Sequence, residues 1–77
     1  MIETIRIPGR DLRIGDVVVF LGNVHRVDRL DPYIGTLLSL LGEGTRVAVA
    51  GDWEMTVPPG QGVEILVRPE IGTGDDR

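Results

Sequence analysis

The amino-acid sequence predicts a mainly β fold: a small barrel of five to six antiparallel strands with one short helix between strands 3 and 4. Two observations carry this prediction. Short runs of β-branched residues alternate with Gly- and Pro-containing turns, and one segment has helical apolar spacing. The chain of 77 residues suffices for one domain, which we place at residues 1–68, with residues 69–77 as a flexible acidic tail.

A first strand and a hairpin begin the predicted barrel. The first strand is expected over Ile2–Ile7, before a Pro8-Gly9 turn. The hairpin strands are Asp16–Leu21 and Val24–Leu30, joined by Gly22-Asn23. Glycine at the first central position favours a two-residue type II′ turn.

That turn would set the strand register. It would place Leu21 opposite Val24, and Asp16 opposite Arg29 as a cross-strand ion pair. Residues 17–21 are all apolar, so both faces of their strand need cover. We therefore expect Phe20 in the core and a covering element nearby.

The segment after the hairpin can supply this cover as a helix. Asp31 is a suitable N-cap, Pro32 suits the first helical position, and Gly42 suits the end. A strand over Thr36–Leu41 is the competing interpretation, because Gly35 weakens a helix. The residues at helical spacing, expected to close one end of the barrel, are Ile34, Leu37, Leu38 and Leu41.

Odd-numbered apolar positions from Thr45 onward predict three further strands, each with one face inward. The positions are Val47, Val49, Trp53, Met55, Val57, Val63, Ile65 and Val67. Keeping this parity through the turns requires loops of odd length. We therefore expect a three-residue loop over residues 50–52, with Val49 opposite Trp53, and Val57 opposite Val63.

Composition narrows the setting and the partners. The net charge of -4 disfavours an extended phosphate-binding surface, so nucleic acid is not the expected partner. The absence of cysteine, of a long apolar run and of a signal-peptide pattern favours a cytoplasmic protein that does not contact the membrane.

The reactive side chains do not form a catalytic or metal-binding pattern. His25 is the only histidine and Ser39 the only serine, and neither has the neighbours that a zinc site or a serine nucleophile needs. We therefore expect no enzyme activity, no metal, no cofactor and no small-molecule substrate.

The best functional lead is the surplus of apolar residues in the helical segment. Tyr33, Leu37 and Leu40 are the candidate anchors of a protein interface. Contiguous exposed apolar surface usually marks a contact with another protein, and a small domain gains stability by self-association. We expect a non-enzymatic protein-interaction module, with a homodimer as one form.

Two alternatives stay open. Arg26, Arg29 and Arg46 are candidates for a nucleic-acid-binding barrel, with Tyr33 as a stacking residue. The acidic balance suggests instead an inhibitor that presents carboxylates to a host nucleic-acid enzyme; these are Asp52, Glu54, Glu64 and Glu70.

At Gly15-Asp16-Val17-Val18, Gly22 and His25-Arg26-Val27, the hairpin resembles the opening of SH3-like (KOW-type) barrels such as the N-terminal domain of elongation factor P. The resemblance covers residues 11–27 and implies an SH3-like barrel. Those proteins carry a modified basic residue after the hairpin, where this chain has none between Arg29 and Gly42.

The stretch GTRVAVAGDWEMTV, with the rest of the chain, also looks like small proteins of actinobacteria and their phages, which implies that origin. An OB-like barrel, with its helix in the same place, is the alternative fold.

Overall fold

The computed structural model describes residues 3–68, which form seven short strands and one single-turn α-helix. The elements are β1 (Thr4–Pro8), β2 (Val17–Phe20), β3 (Asn23–Arg26), β4 (Arg29–Pro32), α1 (Leu38–Leu41), β5 (Arg46–Ala50), β6 (Trp53–Val57) and β7 (Gly62–Leu66). The mainly β prediction with one short helix is confirmed. The predicted tail, residues 69–77, lies outside the described residues.

The first sheet has the order β1-β7-β2-β3, and its pairs are antiparallel. Ile5 of β1 lies opposite Ile65 of β7, and Ile65 also lies opposite Val18 of β2. This central position leaves the Ile65 side chain fully buried. The first strand overlaps the predicted one over residues 4–7 and continues to Pro8, whereas Ile2 lies outside the described residues; a 3-10 turn over Gly9–Asp11 follows it.

The β2–β3 hairpin forms, but its turn is one residue earlier than predicted. Phe20 lies opposite Asn23, so Leu21 and Gly22 are the two central residues. Their φ angles are 52° and 80°. Positive φ at both positions is typical of a type I′ turn, in which glycine serves the second position. The expected pairing of Leu21 with Val24 is therefore wrong.

A bend at Val27 and Asp28 carries the chain from the first sheet into the second. The Val27 amide donates to the Asp16 carbonyl at 2.8 Å, whereas the next amide, of Asp28, donates to the Val49 carbonyl at 2.7 Å. The predicted strand 24–30 is thus divided into β3 and β4. Arg29 now lies opposite Val49, so the predicted pair with Asp16 is not formed.

The second sheet has the order β4-β5-β6. Ala50 lies opposite Trp53 across a two-residue Gly51-Asp52 turn, with Gly51 at φ 61°. The predicted three-residue loop is wrong. The core cluster includes Ala48 of β5, whereas Val49, which was predicted to face inward, is buried on the other face, opposite Glu54. Ala48 is fully buried opposite Met55.

β7 crosses back to the first sheet instead of pairing with β6. Val57 and Val63 are both buried but belong to different sheets, so their predicted pairing is wrong. The alternation of apolar residues does not distinguish pairing of β7 with β6 from pairing of β7 with β1 and β2, because either arrangement buries the same residues. The core between the sheets consists of Ile7, Leu12, Val18, Val27, Ala48, Val57, Val63 and Ile65.

The helix is much shorter than predicted. Asp31 and Pro32 belong to β4, where Pro32 lies opposite Arg46, so neither begins a helix. Strand pairing already satisfies the backbone there, and α1 begins only at Leu38. Its end is as expected: Gly42 has φ 104° and its amide donates to the Leu38 carbonyl.

Candidate functional site

The segment over residues 34–40, here called the apolar loop, exposes its large side chains. Ile34 is 92% exposed, Leu40 82% and Leu37 51%. The helical spacing predicted that Ile34 and Leu37 would close one end of the barrel. This prediction is wrong, because both side chains are exposed. Leu38 and Leu41, on the other side of the turn, are half-buried.

Hydrogen bonds hold the base of the apolar loop without help from these side chains. The Tyr33 amide donates to the Thr45 carbonyl at 3.1 Å, and the Thr45 hydroxyl donates to the Gly42 carbonyl at 2.5 Å. Thr45 is buried. The two ends of the loop are thus joined through one threonine, and the exposed leucines contribute little to this closure.

Tyr33 is the one predicted anchor that folds back onto the chain. Its ring lies against the backbone of Gly35, where an added Cβ would be 2.1 Å from the Tyr33 hydroxyl oxygen. A side chain at position 35, where glycine weakened the predicted helix, would therefore displace the Tyr33 ring from this position. Leu37 and Leu40 remain outward, whereas Tyr33 is half-buried.

The three arginines proposed for nucleic-acid binding do not form one patch. The Arg46 guanidinium donates to the carbonyls of Gly9 and Leu12, at 2.8 and 3.0 Å. Arg29 forms an exposed ion pair with Asp31 at 2.8 Å, and this hydrogen bond raises the pKa of Arg29.

Arg29 and Arg46 also point to opposite faces of the second sheet. Arg29 shares a face with its partner Val49, which is three residues along β5 from Arg46. Arg26 is exposed on β3 of the first sheet, where it lies opposite Val17 of β2.

An aromatic cluster joins the two sheets beside the hairpin. The rings of His25 and Trp53 stack with centroids 3.9 Å apart and planes 4° apart. The Phe20 ring is tilted against Trp53 at 6.2 Å. Phe20 is 43% exposed, so its predicted place in the core is wrong.

A groove of about 260 Å³ lies next to this cluster. Met55 of β6 forms one wall, and side chains of β1, β2 and β7 form the others. Its lining includes Arg6, Phe20, Leu21, Met55 and Val63. Alternation along the strands did not reveal this groove, because it depends on how far β6 lies from the first sheet.

Within residues 3–68, the ion pair between Asp16 and Arg68 is buried. Arg68 donates to both carboxylate oxygens of Asp16, at 2.6 and 2.5 Å, and the Arg13 amide donates to the same carboxylate at 2.8 Å. Burial by itself raises the pKa of Asp16, but these hydrogen bonds and the charges of Arg68 and Arg13 outweigh it. The pKa of Asp16 is therefore lowered from its ordinary value of 3.8.

The described part of the chain contains no cluster of three His, Asp or Glu side chains arranged to hold a metal ion. Its single helix is too short and insufficiently apolar to cross a membrane, in residues 3–68. Comparison of the chain with known protein families, curated proteins and solved structures finds no match.

Proposed function

We propose that the chain is a non-enzymatic protein-interaction module that binds a partner protein through the apolar loop. One observation carries the proposal: Ile34, Leu37 and Leu40 are exposed within seven residues of each other. Burial of one such side chain contributes about 1.5–3 kcal/mol, so folding leaves this free energy to be gained by binding.

The hydrogen-bonded base of the loop supports the proposal. A loop that is already ordered loses less conformational entropy when it binds. The contact of Tyr33 with Gly35 and the bonds at Thr45 restrict the loop before any partner arrives. Leu37 and Leu40 are the anchors in this proposal, and Tyr33 supports their backbone.

We infer that the two sheets are an SH3-like arrangement rather than an OB-like one. The support is the order in which neighbouring strands follow each other: β1, β7 and β2, then the bent strand β3–β4, then β5 and β6. A strand that bends from one sheet into the other is typical of small barrels whose sheets pack orthogonally.

The test is the double substitution Leu37→Ser and Leu40→Ser, with Ile14→Ser as its matched control. Ile14 is 64% exposed and lies outside the apolar loop. Each protein would be used to capture partners from a cell lysate, and the dissociation constant of each partner would then be measured after purification.

We expect the double variant to weaken binding of a partner by more than about 100-fold, since two buried leucines are lost. The Ile14 variant should bind as the wild type does. Equal binding by all three proteins would exclude the apolar loop as the binding surface.

A further inference from the structure

A second cleft, of about 410 Å³, lies beside the 3-10 turn that follows β1. The residues that line it are Ile7, Arg10, Asp11, Arg13 and Arg68. Ile7 is buried as part of the core, whereas Arg10 and Arg13 are exposed. This surface, here called the basic cleft, therefore combines a buried apolar side chain with exposed cations.

The basic cleft carries an excess of positive charge. Arg68 is neutralised by its buried ion pair with Asp16. The Arg10 guanidinium donates to the Pro59 carbonyl at 3.2 Å, which fixes its position but leaves its charge, and it forms no ion pair within residues 3–68. Asp11 is the one carboxylate among the lining residues. A cleft lined mainly by cations attracts acidic groups, and the chain as a whole is acidic, with a net charge of -4.

The chain continues from this cleft into residues 69–77, here called the acidic segment. The residue before the segment, Arg68, is one of the lining residues. The sequence of the segment, PEIGTGDDR, has one large apolar residue, Ile71, one cation, Arg77, and three carboxylates, Glu70, Asp75 and Asp76. Since a chain advances at most about 3.6 Å per residue, Ile71 lies within about 11 Å of Arg68. This reach suits a cleft that Ile7 and Arg68 both line.

The point of attachment favours the acidic segment over any other occupant. A ligand joined to its site by a short linker has an effective concentration in the millimolar range, so weak contacts are sufficient to hold it. The attraction between its carboxylates and the arginines of the cleft adds to this advantage. An acidic segment of another molecule lacks the linkage and would have to displace this one.

We propose that residues 69–77 bind in the basic cleft of the same chain, with Ile71 against Ile7 and the carboxylates of the segment near Arg10 and Arg13. The basic cleft is a different surface from the apolar loop. The proposal does not depend on the proposed function, and separate variants test the two.

The test locates the acidic segment in the whole chain by NMR. Because the sequence has no cysteine, Thr73→Cys provides a single site for a nitroxide label. We expect the label to broaden the amide signals of residues 9–13. The signals of the Gly51-Asp52 turn should keep their intensity, because this turn lies at the opposite end of β5 from Arg46, which contacts Gly9. Uniform broadening, or broadening confined to another surface, overturns the proposal.

A mixed sample distinguishes the acidic segment of the same chain from that of a second copy. Nitroxide-labelled chain at natural isotope abundance is mixed with isotope-enriched chain that carries no nitroxide, so that only contacts between molecules broaden the observed signals. We expect no broadening in this mixture. Broadening of residues 9–13 there, as strong as in the labelled chain itself, shows that the cleft binds a second copy and contradicts the intramolecular contact.

Arg10→Glu tests the charge complementarity. It replaces attraction by repulsion, so we expect the ratio of bound to unbound segment, measured from the broadening, to fall about two- to tenfold. Salt at about 1 M should act in the same direction, because it shortens the screening length to about 3 Å. Arg26→Glu is the matched control, because Arg26 is exposed on β3 and outside the cleft. Equal effects of the two substitutions contradict the assignment of the segment to this cleft.

Ile71→Ser tests the apolar contact, with Ile71→Leu as its control. We expect the same ratio to fall by more than about tenfold in the serine variant and by less than about threefold in the leucine variant, which keeps the apolar volume. An unchanged ratio in Ile71→Ser excludes the proposed contact with Ile7. None of these substitutions lies in the apolar loop, so their outcome is separate from that of the binding test for Leu37 and Leu40.

Discussion

The apolar loop and the Asp16–Arg68 ion pair reverse the usual arrangement of charged and apolar residues. The two charged side chains are only 5% and 10% exposed, whereas Ile34 and Leu40 are 92% and 82% exposed. Charged residues are normally outside and large apolar residues inside. Both regions therefore require a specific explanation.

The explanations differ in kind. Three hydrogen bonds to the Asp16 carboxylate hold the ion pair, and the Arg68 guanidinium also donates to the Asp11 carbonyl at 2.8 Å. Contacts inside the chain thus account for its burial. In the described structure no such contacts account for the exposed leucines. The buried ion pair therefore contributes to stability, and binding by the apolar loop is the proposed explanation for its exposed leucines.

The largest effect is expected from Asp16→Asn. This substitution leaves Arg68 buried without its carboxylate and should lower the free energy of unfolding by about 3 kcal/mol. Urea denaturation measures the change. Asp31→Asn is the control, because it removes a carboxylate from the exposed pair with Arg29 and should leave stability unchanged. Equal losses in the two variants would contradict the assignment of Asp16 to stability.

The same ion pair predicts a pH dependence. Because the folded-state pKa of Asp16 is lower than its ordinary value of 3.8, the stabilisation is complete above this value and is lost as the pH falls through the folded pKa. The melting temperature should therefore decrease below about pH 4. The decrease should be smaller in Asp16→Asn than in the wild type; an identical decrease would show that other groups cause it.

Arg46→Met should have the next largest effect. The substitution removes the charged hydrogen bonds to the Gly9 and Leu12 carbonyls and should destabilise the chain by about 2 kcal/mol. Arg26→Met is the control, because Arg26 is exposed on β3. Unchanged stability of Arg46→Met, together with weaker oligonucleotide binding, would instead favour the nucleic-acid alternative.

Leu21 is a third exposed leucine, but it sits in a strained backbone conformation. Its φ of 52° suits asparagine much better, so Leu21→Asn should stabilise the hairpin by about 1 kcal/mol and raise the melting temperature by about 5 °C. Gly22→Ala should have the opposite sign. A Cβ at Gly22 meets nothing within 4 Å, so only its φ of 80° opposes the methyl.

The smallest effect on stability is expected in the apolar loop. Leu37→Ser with Leu40→Ser should change the free energy of unfolding by less than about 0.5 kcal/mol, because both side chains are exposed. Thermal unfolding of the same protein used in the binding test measures this. A loss of 2 kcal/mol or more would show that the leucines are structural.

Local sequence signals predicted most of the strands but not their partners. The β-branched runs located β1, β2, β5, β6 and β7, and Gly42 ended the helix as expected. The exact positions of the turns were harder to predict, because Leu21-Gly22 and Gly22-Asn23 both suit two-residue hairpin turns. A shift of one residue in the turn changed the predicted partners of Asp16 and Val24.

The candidate site was predicted in part for a similar reason. Apolar content identified the segment containing Leu37 and Leu40, yet its helical spacing predicted that Ile34 and Leu37 would be buried. The pairing of Pro32 with Arg46 extended β4 and left only one helical turn. Ile34 and Leu37 lie outside this short helix, so the helical spacing does not place them on a common buried face.

The sequence by itself determined the secondary-structure class, the absence of cysteine chemistry and the excess of apolar residues after β4, because these depend on composition and neighbours along the chain. Tertiary structure alone decided the bend at Val27 and Asp28, the crossing of β7 and the place of β6 at the edge of its sheet. These depend on which distant backbone groups satisfy each other's hydrogen bonds. The same long-range choice brought Asp16 to Arg68 and left the apolar loop exposed.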